Sequence, residues 1–560
     1  MIVCGLGHVG HRILCVLSRL GERGVVITRE TQEEWRLAAE PCFPVLLGDA
    51  RDEKLLMQAG IREARAILIV TDDDLANVSV ALDARRLNPK IAIVMRLFDR
   101  ELAVHLEKSM KISRALSASA LAAPAFAAAA LGETALGTFE VSGMTCFLEE
   151  HRIEEGSPWV GKTIEAWHRV NRLEVVARLS GKKTVFQPAA DGLLEPGTRL
   201  IGLRLTNPRR RSDGKAGKGP FRRRRPGSWR AAWAGIGEWW RDAPGALRFA
   251  LVALFHVVIL SVVLFHYYLG LAWVDAFYFV IATVATVGYG DFNLMNAPPW
   301  IKLYGSLVIL SGAATLAILF SIMTDLMLGT RLRDVLARGC SRFKGHIIVA
   351  GLGDIGFRLV RALVGSGETV VAIGAREDGE FVQTVREIAS VVIGNPQMEE
   401  TLRKAGVSGA KAILAVTDDD LANLSIGLAG KRADSACRVV LRIFDDKLEE
   451  KIRHDLHIDA IQSVSGAAAP TFVGAVFCPE ILQGILLPDS LMLVRHQVIP
   501  PGPPTQGAAA GEEKSDGFPA LIKKQGEKDY ESYARYGSGS PGDEVIGIQW
   551  IPFPDPAEVA

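Results

Sequence analysis

The sequence lacks the cysteine spacing of a disulfide-rich or zinc-binding protein. Its seven cysteines are scattered through 560 residues and never form a C-x-x-C pair. An odd number without repeated spacing argues against a disulfide framework and against a structural zinc site. The soluble parts are therefore expected to face a reducing compartment.

An excess of charge of one sign is also missing, because the formal net charge is +1. A protein that coats nucleic acid carries a broad basic surplus, so we expect no nucleic-acid partner. The mean hydropathy is nevertheless positive, at +0.20. This value points to membrane-embedded sequence somewhere in the chain.

A membrane-crossing helix needs about 20 apolar residues, and two apolar runs have this length, namely Leu247–Leu269 and Leu303–Met323. Both are predicted to span a membrane. Between them, the apolar stretch Asp275–Ala285 is too short to span, and Asp275 stands where it would cap a short helix. The pattern predicts an all-α module of two helices with a re-entrant pore helix.

The segment that follows this short helix reads Thr286-Val287-Gly288-Tyr289-Gly290-Asp291. The same T-V-G-Y-G run forms the filters of known potassium channels, where rings of backbone carbonyls replace the ion's water shell. We expect K⁺ to meet the carbonyls of residues 286–289, with Gly288 and Gly290 supplying the backbone freedom. Tyr289 and Asp291 are expected to brace the loop from behind.

Basic residues lie at the outer ends of the two runs and are almost absent from the loop between them. They cluster at 209–225 before the first run and at 331–344 after the second, whereas the loop between the runs has only Lys302. The positive-inside rule then predicts a multi-pass plasma-membrane protein with both termini cytoplasmic. An interfacial helix in contact with membrane lipids is predicted from Trp229, Trp233, Trp239 and Trp240.

A long-range duplication surrounds this middle segment. The motif Gly5–Gly10 recurs at Gly351–Gly356, an offset of 346 residues, and the same offset maps Val70–Asn77 onto Val416–Asn423. In the first copy, apolar runs at Val25–Ile27, Ala66–Val70 and Ile91–Met95 alternate with stretches of helical period. Each copy is therefore predicted to be an α/β Rossmann-like domain with a parallel sheet.

The glycine motifs stand where a first strand would turn into a first helix, the place where such folds hold a phosphate. We expect an adenine nucleotide, NAD(H) or ATP/ADP, as a regulatory ligand. An alternative is a Rossmann fold retained only for its interfaces. The candidate ligand-binding residues are Gly5, Gly7, His8, Val9, Gly10, Glu30, Asp49 and Asp72 in the first copy and Gly351, Gly353, Ile355 and Gly356 in the second.

The two copies are expected to differ in ligand preference. Neither has the ribose-binding acid that usually ends the second strand, since Thr28 and Gly374 stand there. Two residues later, the first copy has Glu30 and the second has Arg376. Within the motif, Asp354 in the second copy would repel a phosphate, so nucleotide binding is favoured in the first copy.

Aspartate triplets at Asp72–Asp74 and Asp418–Asp420 suggest either a metal site or helix capping. Each triplet follows a strand and precedes a helical run. Capping by Thr71 or Asp72, with the other acids in the first turn, is the favoured interpretation.

The combination of a filter with flanking glycine motifs resembles the two-transmembrane potassium channels gated by RCK domains, also called TrkA-N domains. The resemblance covers most of the chain. Ile153–Thr163 and Leu194–Leu200 look like the family's small α+β C-terminal subdomain, and Ser540–Val545, after the Pro/Gly-rich Pro500–Gly511, looks like a fainter second one. It implies a homotetramer, in which two RCK domains per chain supply the eight domains of a gating ring.

The predicted fold is thus mixed: two Rossmann-like RCK domains flank a helical pore module, and each is followed by a small subdomain. The predicted boundaries are 1–132 (first RCK domain), 133–206 (its subdomain), 207–245 (basic linker and interfacial helix), 246–330 (pore module), 343–480 (second RCK domain) and 481–560 (degenerate subdomain).

A gating mechanism follows as a hypothesis. Ligand binding changes the ring, the linker after Met327 pulls the second span, and that helix bends near Gly312. No calcium-site constellation stands out, so a nucleotide is preferred over calcium. Two alternatives are a non-conducting regulatory subunit, which would lack an intact filter, and an NAD-dependent oxidoreductase, which would need a catalytic acid or base. We expect the chain not to be an enzyme.

Overall fold

The computed structural model describes residues 1–206, 245–327, 343–500 and 517–554, apart from short gaps at 31–34, 37–41, 111, 133–134, 143, 172, 182, 446–447, 449–450, 453–455, 457, 528 and 534–538. One compact unit contains residues 1–206 and 343–554, and the other contains residues 245–327. The predicted interfacial tryptophans at 229–240, the linker after Met327 and most of Pro500–Gly511 lie outside the described residues.

The chain begins with a six-stranded parallel sheet in the order β3-β2-β1-β4-β5-β6. Its strands are β1 (Ile2–Cys4), β2 (Val25–Thr28), β3 (Val45–Leu47), β4 (Ala66–Ile69), β5 (Ala92–Arg96) and β6 (Arg114–Leu116). Its helices are His8–Arg19, Glu53–Gln58, Asp74–Leu87 and Arg100–Met110. The strand order reverses beside β1, and open α/β sheets bind ligands at that point.

A five-stranded antiparallel sheet follows, in the order β10-β9-β11-β8-β7. Its strands are β7 (Ala135–Val141), β8 (Met144–Arg152), β9 (Glu174–Ser180), β10 (Lys183–Phe186) and β11 (Arg199–Thr206), and its helix is Ile164–Asn171. This is the first small α+β subdomain.

A second parallel sheet repeats the first one strand for strand, in the order β14-β13-β12-β15-β16-β17. Its strands are β12 (His346–Ala350), β13 (Val370–Gly374), β14 (Ser390–Ile393), β15 (Ala410–Ala415), β16 (Arg438–Arg442) and β17 (Ala460–Gln462). Its helices are Asp354–Gly365, Val382–Arg386, Glu399–Lys404 and Asp420–Ala433, with a 3₁₀ turn at Val407–Gly409. The predicted pair of Rossmann-like folds is confirmed, and the predicted strands are shifted by about one residue at their ends.

The C-terminal region is a complete antiparallel sheet, although its sequence signal is faint. Its strands β18 (Ile481–Leu486), β19 (Ser490–Val498), β20 (Gly517–Lys523), β21 (Glu531–Ser532) and β22 (Glu544–Pro552) lie in the order β18-β19-β22-β20-β21. Read from the other edge, this is the strand order of the first small subdomain. Side chains of both sheets, including Leu148, Val176, Met492 and Ile546, belong to one buried cluster.

One long helix follows each parallel sheet and belongs to the core of the other copy. Phe126, on the first crossover helix (Ala118–Leu131), is fully buried in a cluster with Ile347 and Leu359 of the second copy. Phe472, on the second crossover helix (Val464–Phe477), is buried in a cluster with Val3 and other first-copy residues. The two copies therefore complete each other's cores, as in a domain swap.

The other unit contains three helices, Gly245–Leu269, Trp273–Val284 and Pro299–Met327. They pack around a small cluster that includes Phe265, Val280 and Ile301. The short helix begins after Ala272, and Asp275 lies in its first turn without capping it. The predicted capping role of Asp275 was therefore wrong, because the helix begins two residues earlier.

Within the residues that the structure describes, no helix is both long enough and apolar enough to cross a membrane.

The exchange of crossover helices predicts that the two copies unfold together. Phe126→Ala would leave a cavity in the second copy's core and cost about 3–5 kcal/mol. We expect the purified full chain with Phe126→Ala to unfold in one cooperative transition, at a lower denaturant concentration than wild type. Val185→Ala, at a site that is 45% exposed, is the control. Two separate transitions, with only the first copy's affected, would contradict the shared core.

Candidate functional site

Each glycine motif forms the turn between the first strand and the first helix of its sheet. Gly5 has a φ of 101° and donates its N–H to the Ile27 carbonyl at 2.8 Å. A Cβ at Gly10 would lie 2.0 Å from the Gly5 carbonyl oxygen, whereas a Cβ at Gly7 would meet nothing within 4 Å. Gly5 and Gly10 therefore serve the turn and the helix packing, and Gly7 leaves open space against the backbone.

The second copy repeats this geometry. Gly351 has a φ of 113°, a Cβ at Gly356 would lie 1.8 Å from the Gly351 oxygen, and the space beside Gly353 is open. Both first helices begin without a side-chain cap, after Gly7 and Gly353 respectively. Uncapped N–H groups at a helix N-terminus favour an anion such as a phosphate.

Two of the candidate ligand-binding residues point into the protein interior. Val9 is 7% exposed and Ile355 is 3% exposed, and each belongs to a hydrophobic cluster. Their side chains therefore pack the first helix onto the sheet.

The end of the second strand in the first copy is occupied by an internal hydrogen-bond network. The buried Thr28 hydroxyl donates to the Glu30 carbonyl at 2.7 Å and accepts from the Leu6 N–H at 3.3 Å. Asp49 accepts from Arg29 at 2.7 Å and from Arg51 at 2.8 Å, and these hydrogen bonds hold the pKa of Asp49 well below its ordinary value. Glu30 remains as the exposed carboxylate at this edge.

The same edge of the second copy has a different composition. Gly374 ends the strand, and Asn395 replaces the aspartate. The Asn395 side chain accepts from the Gln397 N–H at 2.9 Å. Arg376 lies 81% exposed, with the Asp378 carboxylate 3.7 Å from its guanidinium.

The aspartate triplets cap helices, but through their middle residues. Asp73 accepts from the Ala76 N–H at 3.0 Å, and Asp419 accepts from the Ala422 N–H at 3.0 Å. The predicted cap at Thr71 or Asp72 was therefore wrong by one or two residues. Asp72 is exposed, and the described residues contain no group of three side chains suited to a metal ion.

The third aspartate of each triplet holds the loop after the fifth strand. Asp74 accepts from the Phe98 N–H at 2.8 Å, and Asp420 accepts from the Phe444 N–H at 2.9 Å. In each copy, this hydrogen bond holds the loop that contacts the opposite copy.

Both glycine motifs open into one cavity of about 1180 Å³. The predicted residues Gly5, Gly7, His8, Val9, Glu30, Asp49 and Asp72 line it from the first copy, and Gly351, Gly353 and Ile355 line it from the second. Gly10 and Gly356 lie behind the turn. Sequence reasoning missed Arg96 and Arg442, which also line the cavity, although the repeat itself places an arginine at the end of each fifth strand.

Arginine residues connect the two halves of this cavity. The Arg12 guanidinium donates to the Phe444 carbonyl at 2.8 Å, and the equivalent Arg358 donates to the Phe98 carbonyl at 2.6 Å. Each arginine lies on the first helix of one copy and each carbonyl belongs to the other copy. We call these reciprocal contacts the arginine latches.

The aromatic groups around the two latches are not equivalent. Around Phe444, the first copy supplies His8 at a ring-centroid distance of 3.9 Å, together with His11 and Trp35, which stack at 5.1 Å. Around Phe98, the second copy supplies Phe357 and Phe381, which stack at 4.8 Å, and Asp354 takes the place of His8.

The side chain at the variable motif position reaches toward the opposite copy. Burial lowers the pKa of His8, and the charges that act on it include Arg442, Asp420 and Asp418 of the second copy. Burial raises the pKa of Asp354, and the charges of Arg96 and Asp74 of the first copy also act on this carboxyl. Asp354 also lines a cavity of about 360 Å³ with Asp72 and Arg96. The expectation that Asp354 acts on its own copy was therefore incomplete.

The filter segment of the other unit turns directly out of the short helix. The N–H groups of Val287 and Gly288 donate back to the Ala282 carbonyl at 2.9 and 3.3 Å. Thr286, Gly288 and Gly290 have φ values of 56°, 56° and 84°. A left-handed conformation costs a β-branched residue such as Thr286 about 1–3 kcal/mol, and such strain is typical of functional segments.

An aromatic ring of the short helix lies near a ring of the filter segment. The Tyr278 and Tyr289 rings are parallel, with centroids 6.3 Å apart, and Asp291 acts electrostatically on Tyr278. In the single chain the residues from Ala285 to Asp291 are exposed.

Gly312 lies within the continuous helix Pro299–Met327. A Cβ at Gly312 would lie 2.4 Å from the Val284 carbonyl oxygen. The glycine therefore allows the last helix to approach the end of the short helix closely. Its role as a hinge stays a prediction.

Comparisons with known proteins agree with this division of the chain. The TrkA-N domain model matches residues 1–118 and 347–464, and the ion channel model matches residues 252–328. The voltage-gated potassium channel Kch of Escherichia coli is 30% identical over 214 residues, which are 37% of this chain and 49% of that protein. Probable potassium channel protein 2 of Methanocaldococcus jannaschii is 21% identical over 222 residues, 38% of this chain and 61% of that protein.

The chain contains two TrkA-N (RCK) domains and an ion channel domain, and it is similar to potassium channels. It spans about half the length of Kch. Among solved structures, the GsuK channel has a TM-score of 0.49 and 14% identity over 98% of this chain and 76% of that chain, and GsuK has also been solved bound to NAD.

The arrangement of the two RCK domains makes a pH-dependent prediction for Asp354. Its raised pKa means that the ionised form is disfavoured in the folded state, so the penalty is full above the folded pKa and absent below the unfolded value of about 3.9. Asp354→Asn should therefore raise the melting temperature of the ligand-free full chain at pH 7.5 and give no gain near pH 3. Asp191→Asn, at an exposed site, is the control. An equal gain at both pH values would show that ionisation is not the cause.

Proposed function

We propose that this chain is a subunit of a potassium-selective channel, in which K⁺ passes the backbone carbonyls of Thr286 to Tyr289. The observation that carries the proposal is the filter sequence in its structural place, directly after a short helix and before a long one. The N–H groups of Val287 and Gly288 donate back to the Ala282 carbonyl, and a filter lined by carbonyls would likewise need N–H groups turned away from the ion path. The ion-channel family match over residues 252–328 supports the same function.

The channel unit presents an apolar surface that suits a membrane. Phe255, Leu260, Leu303, Leu310 and Phe320 are each more than half exposed. Soluble proteins rarely leave so many large apolar side chains uncovered, so lipid or neighbouring subunits would cover them. We place the basic segments and both RCK domains on the cytoplasmic side, following the positive-inside rule.

A complete filter needs more than one chain, because each subunit contributes one exposed filter segment. Four chains would supply four segments and eight RCK domains. Equivalent leucines, Leu75 at 82% and Leu421 at 69% exposure, stand on the same helix turn of the two RCK domains. Such paired apolar positions suit contacts between neighbouring subunits in a ring.

The regulatory ligand is proposed to be an adenine nucleotide in the shared cavity. Open space beside Gly7 and Gly353, uncapped helix N-termini and a volume of about 1180 Å³ suit a phosphate-containing ligand. Because the arginine latches join the halves, a ligand in either half would change the contact between RCK domains. Movement of the linker after Met327 and bending near Gly312 would pass that change to the pore.

The filter assignment is tested by potassium flux into liposomes that contain the purified chain. Gly290→Ala forces a side chain into a left-handed conformation with a φ of 84°, so the carbonyl ring should be distorted and the flux lost. Met295→Ala changes an exposed loop residue, 75% exposed, and should conduct normally. If liposomes that contain the wild-type chain show no preference for K⁺ flux over Na⁺ flux under any of the ligand conditions tested, the proposal is excluded.

Ligand control is tested by thermal-shift titration of the full chain with ATP, ADP, NAD and NADH. The double variant Gly7→Ala and Gly353→Ala adds methyl groups in open space, so the fold should persist. Nucleotide affinity should fall at least about tenfold, because a loss of about 1.4 kcal/mol of binding free energy corresponds to that factor. Gly365→Ala also adds a methyl group in open space, but away from the cavity, and should bind like wild type. A shift with none of the four nucleotides would count against nucleotide control.

A further inference from the structure

The two halves of the shared cavity carry opposite charge at one equivalent position. Residue 30 plus the repeat offset of 346 gives residue 376, so Glu30 and Arg376 occupy the same place after the second strand. Both residues line the cavity. In Rossmann folds this edge lies beside the ribose of the adenosine, where an acid binds the hydroxyls and an arginine accommodates a 2′-phosphate.

Neighbouring charges also differ between the halves. In the first half, Asp49 pairs with both Arg29 and Arg51, which leaves a net charge of +1 on these three residues that Glu30 offsets. The equivalent positions of the second half hold Ala375, Gln397 and Asn395, none of which is charged.

Among the residues that the structure describes, Arg376 has no tight carboxylate partner. Asp378 lies 3.7 Å away and is 81% exposed, as Arg376 is, so water screens this pair. The adjacent Glu377 is held by Arg386 at 2.6 Å. The guanidinium can therefore turn toward a ligand phosphate without breaking a strong ion pair.

The strand end beside Arg376 has no acid. Gly374 presents no side chain there, and a Cβ at Gly374 would lie 3.3 to 3.5 Å from Leu352, Val382 and Ile393. A ribose with both hydroxyls free would find no carboxylate acceptor at this position. A phosphorylated ribose would meet no repulsion from it.

The carboxylate of Asp354 does not cancel this preference. Asp354 lines the shared cavity and also the smaller cavity beside Asp72 and Arg96 of the first RCK domain, and it follows the glycine turn directly at Gly353. Arg376 lies at the opposite, ribose end, after the second strand. The two charges therefore act on different parts of a bound dinucleotide.

We infer that the second RCK domain selects an adenine nucleotide with a phosphate on its ribose 2′ oxygen, with Arg376 as the specificity-determining residue. The first RCK domain, with Glu30 at the same place, takes the nucleotide with free ribose hydroxyls. This inference rests on the proposed nucleotide control and assigns a different ligand class to each half.

Calorimetric titration of the purified full chain with NADP⁺ and NAD⁺ tests it. The wild-type chain should bind one NADP⁺, in its second RCK domain. This domain should bind NADP⁺ more tightly than it binds NAD⁺. Arg376→Glu should weaken NADP⁺ binding by about 10- to 100-fold, the range expected for lost charge-assisted hydrogen bonds, and leave NAD⁺ binding in the first half unchanged. Arg403→Glu makes the same charge change away from the cavity and should have no effect.

The reciprocal variant gives a gain of binding. Glu30→Arg should raise the stoichiometry from one to two NADP⁺ per chain. Equal affinities of wild type for NADP⁺ and NAD⁺, or NADP⁺ binding unaffected by Arg376→Glu, would overturn the inference and leave nucleotide control standing. If neither these dinucleotides nor ATP and ADP bind, both the inference and nucleotide control fail.

Discussion

The exchange of crossover helices is the constraint on which the cytoplasmic part of the molecule depends. Phe126 fills the core of the second RCK domain and Phe472 fills the core of the first, so neither domain is complete without a segment that follows the other's sheet. Burial of these side chains fixes how the two parallel sheets face each other. That orientation in turn brings the two glycine turns to one cavity and places each arginine latch within hydrogen-bond distance of its carbonyl.

The latches explain how a ligand in one half would affect the other. Arg12 and Arg358 each start on the helix whose N-terminus faces the glycine turn, and each ends on a loop held by an aspartate of the opposite domain. A phosphate at the turn would act on the helix that carries the latch. The chain of contacts is short and contains one charged hydrogen bond at the domain boundary, so small shifts there change the relative position of two rigid domains.

Much of the fold could be predicted from the sequence because local signals carried it. The 346-residue offset, the spacing of the glycines and the apolar strands predicted two Rossmann-like folds with the glycines at the turn from the first strand to the first helix. The errors were of two kinds. The caps at Asp73 and Ala272 differed by one to three residues from the prediction, because several neighbouring side chains suit a cap equally well.

The second kind of error concerned contacts between the copies. Sequence spacing cannot show that His8 lies against Phe444, or that Asp354 lies near Arg96, because each pair is separated by hundreds of residues and brought together only by the helix exchange. The faint signal of the last sheet hid a full strand order for a related reason. Short antiparallel strands separated by residues 501–516 give little periodicity, whereas their pairing is fixed by the sheet they pack against.

The covalent connection of the two RCK domains has a further consequence. When two separate, identical chains form such a pair, any substitution appears twice, and the two halves of the cavity stay the same. Here His8 and Asp354 can differ, as can Trp35 and Phe381, because each codon alters one half only. A fused pair can thus evolve two unlike receptors within one symmetric scaffold, so that a single subunit could compare two chemical signals.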